Sequence, residues 1–102
     1  MSMALIDALY AAADRAGLLR SCTWRPSDGA LAQTYPVGFT APDEARLDGL
    51  TFSTEYEMSY PASAFQGLAA RELVEIDGQP YQVRDIRAVG DGSERRAKLT
   101  RI

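Results

Sequence analysis

Two glutamates, Glu55 and Glu57, stand one residue apart in a stretch where polar and apolar residues alternate. On a strand they would share one face at a separation of about 7 Å. Such a pair could do acid–base work or hold a hard cation. They alternate with Thr51, Ser53 and Ser59, however, which makes a solvated face the simpler reading. Asp43, Glu44 and Asp48 form a second acidic group, but their spacing misses the calcium-loop pattern. Asp91 and Glu94 flank a glycine turn, where a carboxylate ordinarily serves the turn itself. The chain has no histidine. That removes the commonest general base and the commonest metal ligand. Cys22 is the single cysteine and has no histidine to activate it, so an inert buried thiol is expected. Gly90-Asp91-Gly92 is too short for a phosphate-binding loop. Catalysis is the least favoured reading, and neither a cofactor nor a metal is expected.

Charge is the next source of specificity. The chain has 102 residues, a formal net charge of −3 and a pI near 4.8. An acidic balance argues against nucleic acid as the main partner. The charge is uneven. Residues 1–83 hold 5 basic and 11 acidic side chains, whereas residues 84–102 hold 6 basic and 3 acidic ones. The basic group is Arg84, Arg87, Arg95, Arg96, Lys98 and Arg101. One reading is a solvated strand guarded by cations. The other is an interface in which Arg84, Arg87, Arg95, Arg96 and Lys98 meet an acidic counterpart such as Asp43, Glu44 and Asp48, copy to copy in a ring. Tyr35, Tyr56, Tyr60 and Tyr81 could form a base-stacking platform, but Tyr56 and Tyr60 alternate with core positions and lack a basic groove.

The elements that would position these residues are mostly strands. Leu50, Phe52, Thr54, Tyr56, Met58 and Tyr60 occupy alternate positions, the period of a half-buried strand. Leu73–Ile76 and Gln79–Ala88 flank Asp77-Gly78, a strong hairpin signal. In the second of these strands the inward phase slips near Arg84-Asp85, which predicts a β-bulge. A last strand is predicted from Glu94 to Ile102 with Ala97 and Leu99 inward. Upstream, residues 4–16 read as a helix with Leu5, Leu9, Ala12, Ala13 and Ala16 on one stripe, stopped by Gly17. A strand over 18–25 would turn Leu18, Cys22 and Trp24 inward. The Pro26–Gly29 turn leads to a weaker strand over 31–40, assigned to a sheet edge because Pro36 has no N–H. Residues 41–49 read as a polar loop, and 61–68 as a short turn bearing Phe65 and Leu68.

The expected fold is mainly β: a small antiparallel β-barrel or sandwich of about six strands with an N-terminal helix. Residues 1–17 would form a helical arm and 18–102 the β-barrel domain. Phe52, Tyr56, Met58, Ile76, Tyr81, Val83, Ile86 and Leu99 are the expected core. A lone cysteine suits a reducing compartment. The N-terminus lacks the basic start of a signal peptide, and no apolar run is long enough to span a membrane.

The C-terminal half also carries a family resemblance. Tyr60-Pro-Ala-Ser-Ala-Phe-Gln-Gly-Leu68, Val74-Glu-Ile-Asp-Gly78, Tyr81-Gln-Val83-Arg-Asp-Ile86 and Leu99 together resemble the tailed-phage head–tail joining proteins, the small lambda-type joining and stopper proteins of phages and prophages. The resemblance covers about 40 residues. Where that family commonly has Gly-Asp before the penultimate hairpin, this chain has Arg71-Glu72. A left-handed turn there would strain Arg71, which leaves room for a different local backbone.

The resemblance implies a structural virion protein without catalytic residues. It would join the DNA-filled head to the tail as a ring at the portal or connector, assembled in the bacterial host cytoplasm. Its partners would be portal and tail proteins, with packaged DNA met only as it passes through. The alternative is a generic small β-barrel interaction or ligand-binding module without a virion role.

Overall fold

The structure, a computed structural model, describes residues 3–42 and 56–102. One helix, α1 (Met3–Arg15), precedes six strands: β1 (Arg20–Trp24), β2 (Gln33–Thr40), β3 (Tyr56–Pro61), β4 (Leu73–Ile76), β5 (Gln79–Val89) and β6 (Glu94–Arg101). The strands close into an antiparallel barrel in the order β1-β2-β3-β6-β5-β4. Of the two architectures open to the sequence, the barrel is the one formed. Closure comes from the pairing of β1 with β4, Cys22 opposite Ile76 and Trp24 opposite Val74. Among the described strands it leaves none with only one neighbour.

Period-two burial explains the interior. Cys22, Trp24, Val37, Met58, Tyr60, Val74, Ile76, Tyr81, Val83, Ala97 and Leu99 are buried in one cluster, with Phe39, Tyr56 and Ile86 packed against it. Of the expected core, Phe52 lies outside the described residues, as do Leu50 to Glu55 of the long alternating stretch. The others are buried or pack against the core. Asp77 and Gly78 have φ of 50° and 86°, the paired left-handed conformation of a tight hairpin turn. The bulge is also where the phase slip placed it. Val83 pairs with Leu99 and Asp85 with Lys98, so Arg84 is the extra residue.

Three expectations are corrected. Leu18 is 74% exposed, because β1 starts only at Arg20. Strand β2 is not an edge: it pairs with β1 on one side and β3 on the other. Pro36 is tolerated because the β2–β3 ladder spans only Gly38 to Thr40 and stops short of it. Finally, α1 does not dock by the Leu5–Leu9 stripe, whose leucines are about half exposed. It docks one position further round, through buried Ile6 and half-buried Tyr10, with half-buried Ala13 from the expected stripe. Tyr10 Oη donates to Glu94 Oε2 at 2.6 Å, and Ser63 Oγ donates to Asp7 Oδ1 at 2.6 Å. The helix is thus pinned to the outside of the barrel by polar contacts that no apolar period reveals.

Candidate assembly surface

The outward face of β5 and β6 gathers four of the five basic residues singled out by charge. Ala97 and Leu99 point inward, so Arg96, Lys98 and Thr100 point out. Arg84, expelled at the bulge, donates from Nη1 to Thr100 Oγ1 at 3.2 Å. Lys98 lies between two carboxylates in register, Glu57 on β3 and Asp85 on β5. Arg96 has Ser59 on one side and Arg87 on the other. Arg95 is set apart from these. It has the inward parity of Ala97 and Leu99 but stays exposed, opposite Tyr60 and Ala88. The acidic counterparts Asp43, Glu44 and Asp48 lie outside the described residues.

The other candidates resolve into structural roles. Glu57 is paired with Lys98, and Glu55 lies outside the described residues. Asp91 Oδ1 accepts from the backbone N and Oγ of Ser93, the turn chemistry expected of it. Cys22 is fully buried with Sγ 3.8 Å from Met58 Sδ, and burial pushes its thiol up to about 12. The tyrosines do not form a platform. Tyr60 and Tyr81 are buried, Tyr56 stacks inside against Phe39, and Tyr35 packs edge-on against Phe65. Burial likewise raises Tyr60 to about 12.

A polar latch escaped sequence reasoning. Glu72 accepts from Ser27 Oγ at 2.7 Å, from the Ser27 backbone N at 3.1 Å and from Trp24 Nε1 at 2.9 Å. It ties the 62–72 crossover to the turn after β1. The hydrogen bonds from Ser27 and Trp24 hold its carboxyl below the usual glutamate range. The preceding residue explains the geometry. Arg71 N donates to Val83 O at 2.7 Å, and Val83 N donates to Glu72 O at 2.8 Å. Two residues therefore oppose one, with Arg71 at φ 81° in the position such a bulge usually gives to glycine. The backbone is left-handed here although the residue is not glycine. The signal in sequence was the Arg71-Glu72 step itself, read as a departure rather than as a latch.

Helix, barrel and latch are all spanned by one comparison. A family model described as the phage head-tail attachment protein matches residues 3–99. The chain belongs to that family. As a member, it is a structural virion component with a role in phage assembly, interacting with head and tail components. Among curated proteins no match was found. No helix among the described residues is long and apolar enough to cross a membrane.

Proposed function

We propose that this phage head-tail attachment family member joins the DNA-filled head to the tail by docking at the portal or connector as a closed ring of copies. The observation that carries this reading is the family match over residues 3–99, which takes in α1, β1 to β5 and most of β6. The barrel of residues 18–102 serves as the body, and residues 1–17 form an arm that adapts to neighbours. The basic outer face of β5–β6 and the acidic Asp43, Glu44 and Asp48 are the proposed contacts, matched acidic to basic between copies or partners. We assign the chain no catalytic step, and we assign packaged DNA only passage through the ring. Assembly takes place in the bacterial host cytoplasm, and the protein stays in the virion.

The test is complementation. A phage lysate lacking this protein should accumulate filled heads and free tails. Adding purified protein should restore infectious particles. Joined particles at normal yield in the deletion lysate would overturn the reading.

A further inference from the structure

The register of the barrel separates the basic residues of β5 and β6 into neutralised and unneutralised positions. Lys98 has a carboxylate on each neighbouring strand. Glu94, two residues away on the same face, is engaged by Tyr10. Between them, Arg96 is directly opposite Arg87, with Ser59 on its other side and the Tyr10 hydroxyl of α1 close enough to feel its charge. Both arginines are exposed, and neither forms an ion pair among the described residues. Like charges directly opposite on an antiparallel pair are destabilising, and their Cβ atoms sit about 4.5–5.5 Å apart. A chain with 14 acidic side chains has placed two arginines opposite each other in register, with carboxylates on nearby ladder rungs. Local rules are broken in this way at functional positions.

We propose that the Arg87–Arg96 pair is a seat for an isolated carboxylate of an acidic protein partner, an inference that rests on the head-to-tail reading above. Two guanidinium forks on one face match one carboxylate from two sides. The partner is acidic protein rather than nucleic acid because of what borders the seat. Glu57, Asp85 and Glu94 each lie two ladder rungs from it. A phosphate backbone running along the face would meet these carboxylates as soon as it left the arginines, whereas a single acidic side chain would not. Binding removes the repulsion that the free chain carries, so the seat favours an anion.

The test uses the complementation assay and thermal melting of purified protein. Arg87→Glu converts the like pair into an opposite pair. It should melt roughly 1–6 °C higher than the parent. It should also lower the yield of infectious particles by about tenfold or more, through loss of a close charge pair. Arg87→Lys, which keeps the charge but loses the fork, should restore only part of that yield. Arg87→Gln is the second variant should Arg87→Glu fail to fold, with a smaller rise in melting temperature and the same loss in joining. An Arg87→Glu chain that melts no higher than the parent, or that supports joining at parental yield, overturns the proposal. Fluorescence anisotropy with labelled duplex DNA at physiological salt tests the partner class. No Arg87-dependent binding is expected, and such binding would overturn the assignment to a protein carboxylate. If a lysate lacking the protein joins heads to tails, the head-to-tail reading itself fails. If joining needs the protein but not Arg87, only the seat fails.

Discussion

Trp24 Nε1 donates to Glu72 Oε1 at 2.9 Å, linking the end of β1 to the crossover before β4 across 48 residues of chain. The same carboxylate takes both donors of Ser27, so one side chain ties buried Trp24 and the turn after β1 to the crossover. The acid side of the stability profile follows from this arrangement. The folded carboxyl titrates below its unfolded value, held down first by Ser27 and then by Trp24. Its contribution is therefore present above the unfolded value near 4.3 and is lost as pH falls through the lower folded value. Glu72→Gln should melt lower than the parent at pH 7, with the difference narrowing as pH drops below about 4. Melting temperatures measured from pH 3 to 7 decide it; parallel curves for the two proteins would exclude the latch.

Arg71 at φ 81° predicts a gain from glycine. A non-glycine residue in the left-handed region costs about 1–2 kcal/mol, partly offset by the added flexibility of glycine in the unfolded chain. Arg71→Gly should therefore be stabilised by up to about 1 kcal/mol, while Arg71→Val, with a branched Cβ, should be destabilised by about 1 kcal/mol or more. Urea unfolding of the three proteins provides the ranking. An Arg71→Val chain as stable as the parent would contradict the bulge geometry.

Val83 is 1% exposed and sits where β5 meets both β6 and the Arg71–Glu72 bulge. Truncation to alanine removes buried methyl groups and leaves a cavity that the closed barrel has little freedom to collapse. A loss of about 1–3 kcal/mol is expected for Val83→Ala. Unchanged thermal melting would remove Val83 from the core.

Cys22 should be silent toward thiol reagents in the folded protein. Its thiol is fully buried and raised to about 12 by desolvation, so thiolate is scarce at neutral pH. Labelling should proceed at the rate of opening and accelerate sharply in denaturant. The raised values of Cys22 and Tyr60 add an alkaline limit: their contribution is complete below the unfolded values of about 8.5 and 10 and is lost as pH rises through about 12. Rapid labelling at pH 8 without denaturant would contradict the burial.

Helix α1 should exchange its amides faster than β5 and β6. The hold of its described side chains on the barrel includes Ile6, Tyr10, Ala13 and the Asp7–Ser63 hydrogen bond, whereas β5 and β6 are laddered along their length. Hydrogen exchange resolves the two rates, and equal protection would argue that the helix is integral to the barrel rather than an arm.

Legibility in the sequence followed the range of the interaction. The Asp77-Gly78 turn, the slip at Arg84-Asp85 and the inward Ala97 and Leu99 were readable because each is decided by residues a few positions apart. The resemblance, carried by short hairpin motifs, pointed to the family for the same reason. The docking face of α1 was not readable. Leu5–Leu9 and Ile6–Tyr10 are adjacent apolar stripes, and the choice between them depends on Glu94, 84 residues from Tyr10, offering an acceptor. Pro36 was misassigned to an edge because closure of β1 on β4 and the short β2–β3 ladder are non-local outcomes. The basic run of β5 and β6 was visible as composition. Only the register across the bulge decided that Lys98 would meet two carboxylates and Arg96 an arginine, since one residue of slip exchanges every cross-strand neighbour.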